Sequence, residues 1–175
     1  MENYAKVILY TYPLLKTIGK DYADHIRNKA LLSYDSAWDT ERLTEYLAEE
    51  ILRKERLEWL RGVVEETLLG LSDLERDLVA IRYFGKRNRL CAVVAFAKEE
   101  KGEEKKGDEK KLSRRDYFRK QQRLADKLNG IFREKGLTKE VYLRDFATLD
   151  VFEKARRFLE DGKEGNISLE KRMFS

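Results

Sequence analysis

The chain has 175 residues, with 37 Lys and Arg against 33 Asp and Glu and a formal net charge of +4. At 42% hydrophobic and 40% charged it has enough apolar side chains for a core and an unusually charged surface. One Cys excludes an internal disulfide, and one His with one Cys cannot build a usual structural zinc site. No apolar run approaches the ~20 residues of a membrane span and no charged-then-apolar leader opens the chain, so the expectation is a cytoplasmic protein with no membrane partner.

A single Pro, glycines placed mostly between periodic segments, and no long alternating run point to an all-α fold. Residues 2 to about 30 place Tyr4, Val7, Ile8, Leu14, Leu15, Ile18, Tyr22 and Ile26 at helical spacing, and Pro13 is expected to kink or divide this segment. Residues 33 to 40 read as a loop. A second helix is predicted from Thr40 to Leu69, with Leu43, Leu47, Ile51, Leu52, Leu57, Leu60, Val64 and Leu68 facing inward and Gly70 ending it. Ser72-Asp-Leu-Glu75 is a capping box that opens a third helix to Phe84, with Leu74, Leu78, Ile81 and Phe84 buried and Gly85 closing it.

The segment Cys91 to Ala97 is apolar and reads as a short strand or a buried helical turn. Lys98 to Lys111 is nearly all Glu, Lys, Gly and Asp and is expected to be a mobile loop. A basic helix follows from Ser113, its candidate cap, to about Lys135, with Gly136 as its stop. Thr138 is expected to cap a short helix through Phe146, and Asp150 a last one from Val151 to Glu160. The end beyond Gly162 is expected to fray. The boundaries divide the chain into an N-terminal helical segment (1–70), a central module (71–135) and a C-terminal helical extension (136–175).

The basic helix carries the functional signal. Residues 110 to 127 hold eight Lys or Arg against two acids, a net of +6, so the remainder of the chain sums to −2. Its apolar positions Tyr117, Leu124, Leu128 and Ile131 fall on one face and should meet the core. Arg114, Arg115 and Arg119 then point to solvent in the first turns, where arginines suit phosphates and guanine edges. The pattern predicts a protein that binds double-stranded DNA.

Two segments resemble the fourth region of sigma-70 family sigma factors. Leu71-Ser-Asp-Leu-Glu-Arg-Asp-Leu-Val-Ala-Ile-Arg-Tyr-Phe84 is similar to that region's opening helix, and Ser113 to Leu128 is similar to its recognition helix. Sigma-like phage and clostridial regulators show an aromatic pair where this chain has Tyr117-Phe118. The resemblance covers roughly residues 71 to 132. It implies a helix-turn-helix, here degenerate because Lys86 to Leu112 fills the slot of the intervening helix, and a role in transcription regulation. It also implies base-edge contacts from Arg114, Arg115, Phe118 and Arg119, with Gln122 reaching an adenine or a phosphate. Lys110, Lys111, Lys120, Arg123 and Lys127 are then placed for phosphates. RNA polymerase is a possible protein partner and a homodimer a possible assembly.

Other features have plainer readings. His25 reads as a surface histidine, Cys91 as a buried thiol, and Trp38 and Trp59 as core or interface anchors. Asp21, Asp24, Asp35 and Asp39 lack a metal-ligand spacing, and caps and turns explain them better. No glycine loop for phosphates, nucleophile elbow or His-Glu metal motif appears, so neither an enzyme nor a cofactor is expected. The alternative to DNA binding is a helical protein–protein adaptor using the early aromatics Tyr4, Tyr10, Tyr12 and Tyr22.

Overall fold

In the computed structural model the described residues are 2–32, 40–84 and 114–160, with side chains described at 2–31, 40–84 and 118–160. They are all-helical: α1 (Asn3–Leu32), α2 (Thr40–Leu69), α3 (Asp73–Tyr83), α4 (Arg114–Glu134), α5 (Lys139–Asp145) and α6 (Asp150–Glu160). The expected loop at 33–39, the apolar stretch Cys91–Ala97, the charged run Lys98–Lys111, the Gly85 stop, the Ser113 cap, Trp38 and the end beyond Gly162 lie outside the described residues.

Pro13 does not divide the first segment; α1 runs through it as one helix. The ring removes one amide donor and crowds the preceding turn, a cost of ~3 kcal/mol or more in an isolated helix. Burial on both sides offsets that cost. Ile8, Leu9, Leu14 and Leu15 are all in the core, while Pro13 itself lies on the exposed side. The buried Thr11 hydroxyl donates to the carbonyls of Val7 and Ile8, 3.0 Å from each, so its polar group is satisfied inside the helix.

The α1–α2 pair is the spine. Its core-facing residues Val7, Ile8, Leu15, Leu57, Leu60 and Val64 are nearly fully buried. Of the other expected inward residues of α2, Leu43, Leu47 and Leu68 are half-buried, while Ile51 is 43% exposed and Leu52 49% exposed, with Glu50 buried in their place. The spacing explains this. Glu50, Leu57, Leu60, Val64 and Thr67 share one face of α2, and Ile51 and Leu52 are rotated off it by one and two residue steps. Glu50 is tolerated because Arg53 Nη1 sits 2.5 Å from its carboxylate.

α3 opens at the expected capping box. Glu75 N–H donates to the Ser72 hydroxyl, and the Ser72 N–H donates to the Glu75 carboxylate at 3.0 Å. Leu78, Val79, Ile81 and Tyr83 are buried, whereas Leu74 and the C-cap Phe84 are half-buried. α4 ends at Gly136, whose φ of 79° is the left-handed conformation glycine accepts without steric cost. Leu137 N–H bonds the Phe132 carbonyl and Gly136 N–H the Arg133 carbonyl, the paired bonds of a Schellman stop. Leu137 and Phe132 are both fully buried beside it.

Thr138 caps α5, as expected. Asp150, expected as the cap of the last helix, is instead its first residue, and the Leu149 carbonyl accepts the first helical bonds from Phe152 and Glu153. α6 packs on α1 through Tyr10–Phe158, and Phe152 joins Phe146 and Tyr142 in an aromatic cluster under Tyr4.

Candidate nucleic-acid interface

The candidate site is the outer face of α4, and its orientation follows from what the helix buries. Gln121, Leu124, Leu128 and Phe132 are at 7% exposure or less, at spacings of three and four residues, so they form one stripe against the core. Ile131 is half-buried beside them. The expected inward positions Leu124, Leu128 and Ile131 therefore face as the sequence pattern requires; the Tyr117 side chain lies outside the described residues. Phe118, Arg119, Gln122, Arg123, Asp126 and Lys127 are exposed and Lys120 is half-buried.

Two side-chain ties hold α4 to α3. Arg82 donates to the side-chain oxygen of Gln121, and Lys127 reaches both carboxylate oxygens of Glu75 at 2.8 Å. The ties are seven residues apart on α3, about 10 Å, and six apart on α4, about 9 Å, in opposite order. The two helices thus run side by side and antiparallel at this contact. Gln121 escaped the sequence reading because it is polar, although helical spacing sets it, and not Gln122, in line with Leu124 and Leu128; the half-buried Arg82 satisfies its oxygen.

The predicted site residues therefore differ in role. Arg123 is exposed and has no ion pair among the described residues. Arg119 and Phe118 are exposed one turn earlier, with Phe118 54% exposed. Gln122 donates to Asp126 at 3.1 Å, a bond within the helix surface. Lys127, expected to contact phosphate, pairs with Glu75, a tie that depends on α3 arriving alongside. The backbone of Arg114 and Arg115 is in the first turn of α4, but their side chains, like Lys110 and Lys111, lie outside the described residues.

Electrostatics follows the same geometry. Burial works to raise the Glu75 pKa, but hydrogen bonds from Lys127 and from the Ser72 amide, with the Lys127 charge, outweigh it and hold the carboxyl below its ordinary 4.5. At the far end of α4, Arg133 pairs with Glu2, and Lys135 with Glu66 at 2.5 Å, so the later basic residues tie the helix to α1 and α2.

The aromatics of α1 are used internally. Tyr4 is 5% exposed and donates to the Leu137 carbonyl at 3.2 Å; Tyr10 packs on Tyr83 with ring centroids 5.1 Å apart, and Tyr12 on Phe84 at 5.2 Å. Tyr22 is half-buried. Burial pushes the pKa of Tyr4, Tyr12 and Tyr22 up, as for phenols removed from water. All four tyrosines thus lie in the core or pack against it. His25 is exposed, as expected, and lies 2.8 Å from the Tyr46 hydroxyl. Trp59, 42% exposed, stacks on Phe146.

Among the described residues no group of three or more His, Cys, Asp or Glu could hold a metal ion, and no helix is long and apolar enough to cross a membrane. No protein-family model matches the chain, and neither a curated protein nor a solved structure shows significant similarity to it.

Proposed function

We propose that the chain is a DNA-binding transcriptional regulator that offers the early turns of α4 to duplex DNA. The observation that carries the reading is the exposed Arg119-to-Arg123 edge: Arg123 is without an ion pair among the described residues, opposite a buried Leu124-Leu128-Phe132 stripe. A helix held by its apolar side and basic on the other is what groove insertion requires. The arginines supply bidentate donors for guanine or phosphate, and Phe118 supplies an apolar contact for a thymine methyl. In this reading α3 supports α4, as in the sigma-like helix-turn-helix that both segments resemble, and RNA polymerase is the protein partner that resemblance implies.

The test is duplex binding across a salt series. Counterion release makes log K fall by about 0.9 per phosphate contact for each unit of log salt. Arg119→Ala and Arg123→Ala should each weaken binding and reduce the slope by about 1 while the melting temperature holds. Unchanged affinity at low salt for both variants would remove α4 from the interface.

A second reading is a helical adaptor that binds a protein. Leu52 and Trp59 favour it, because they are seven residues apart on one side of α2, 49% and 42% exposed. Absence of duplex binding at any salt would select it.

A further inference from the structure

Toward its loop end the α1–α2 pair forms a two-helix arm poor in buried residues, flanked on one side by Thr148, Leu149 and Val151 beside Ile18, Tyr22 and His25. In α1 no described residue after Leu15 is buried, and in α2 none before Glu50. On one side of the arm a groove of about 230 Å³ runs between the helices, lined by Lys16, Gly19 and Ala23 of α1 and Lys54, Leu57 and Glu58 of α2. Helical spacing continues this face through Ile26 on α1 and through Ile51, Leu47 and Leu43 on α2. Ile26, Leu43 and Leu47 are only half-buried and Ile51 is 43% exposed. A two-helix pair has one internal interface, so this apolar face needs a cover from outside it.

Most charges along this face pair within their own helix: Arg27 with Asp24, Lys54 with Glu58 and Arg61 with Glu65. Lys16 and Lys20 remain on the exposed edge of α1, and Glu55 on that of α2. The 2.8 Å contact between His25 and Tyr46 fixes the levels of the two helices. Both rise about 1.5 Å per residue in opposite directions, so residues on one level have numbers that sum to about 71. Lys16 then stands level with Glu55, and Lys20 about one turn above it. Lys16, Lys20 and Glu55 have no ion pair among the described residues.

We propose that a second copy of this chain covers the face, related by a two-fold axis parallel to the arm. That axis preserves levels and lays α1 over α2 of the second copy. Lys16 and Lys20 meet Glu55 of the second copy, and each contact occurs twice, as an isologous interface demands. Every neighbouring helix is antiparallel, which gives a four-helix bundle with Ile26, Leu43, Leu47 and Ile51 at its centre. An axis perpendicular to the arm stacks α1 on α1 and sets lysines against lysines, so the charges select the first arrangement. The proposal does not depend on DNA binding.

The experiment is sedimentation of the full chain without DNA, up to about 50 µM. The wild type should sediment at twice 20.8 kDa. Lys20→Glu and Glu55→Lys should each weaken the dimer by about tenfold or more, because each sets like charges together at both edges. An equimolar mixture of the two variants should recover dimer, since opposite charges again face each other across both edges. Ile51→Asp should give a monomer with unchanged helicity, as its side chain is already partly in water. A wild-type monomer at every concentration would overturn the proposal. So would a dimer indifferent to Ile51→Asp, or variants that weaken singly without recovery on mixing.

Discussion

Lys127 Nζ lies 2.8 Å from both carboxylate oxygens of Glu75, the same carboxylate that closes the capping box on the Ser72 amide. One side chain thus begins α3 and ties α4 to it, so the start of a supporting helix and the placement of the basic helix are coupled.

Replacing Glu75 by Ala should cost about 1 kcal/mol from the cap alone. Lys127→Met should cost less, because an exposed pair contributes ~0–1 kcal/mol. The pH dependence has a definite sign. The folded carboxyl titrates below 4.5, so its stabilisation is fully present above that value and is lost as pH falls through the depressed one. Acid unfolding of Glu75→Gln should be flatter over that window. Identical acid limbs for wild type and variant would show that the tie contributes nothing.

Leu128 is 1% exposed in the stripe that seats α4. Leu128→Ala should destabilise by about 2–5 kcal/mol through lost burial and the cavity left behind. Urea unfolding measures this directly. DNA affinity, corrected for the folded fraction, should stay at the wild-type value; a larger loss would mean that the core face itself meets the ligand.

Two glycines of the same region should respond in opposite directions. Gly136 holds φ at 79°, and Gly136→Ala should cost about 1–2 kcal/mol for a left-handed alanine. Gly130 lies inside α4, where an added Cβ meets nothing within 4 Å. Gly130→Ala should therefore stabilise by about 0.5–1 kcal/mol. Thermal melts of the two variants that shift the same way would refute the assignment of the stop.

The Tyr142 hydroxyl is buried without a hydrogen-bond partner among the described residues, and burial pushes its pKa up to about 12. Tyr142→Phe should leave the fold intact and stabilise it by roughly 1 kcal/mol, by removing an unsatisfied polar group. In an ultraviolet pH titration, the variant should lose absorbance change at the alkaline end of the tyrosine range. A destabilised variant would reveal a partner for the hydroxyl.

The local signals in the sequence located the helices well. The Ser72 box, the Gly136 stop and the Thr138 cap each fall where their residues predict, because caps and stops involve neighbours within a few residues. The apolar period of α4 also fixed which side meets the core, since Leu124 and Leu128 leave the basic residues only the opposite face. Pro13 does not divide α1, because its cost is local while the compensation, burial of Ile8, Leu9, Leu14 and Leu15 in the core, is tertiary. Ile51 and Leu52 misled because an apolar residue marks a helix face only when a neighbour arrives to cover it.

What the sequence by itself determined is the all-helical class, the main helix ends and the charge imbalance of residues 110 to 127, all properties of short-range backbone and composition. What only the tertiary structure decided is which cations of α4 are paired across the fold. Lys127, Arg133 and Lys135 have the same chemistry as Arg123 along the chain. They differ because Glu75, Glu2 and Glu66 are brought beside them by α3, α1 and α2. A charge is neutralised by what lies within a few ångströms in space, and over separations of 52, 131 and 69 residues only packing sets that distance.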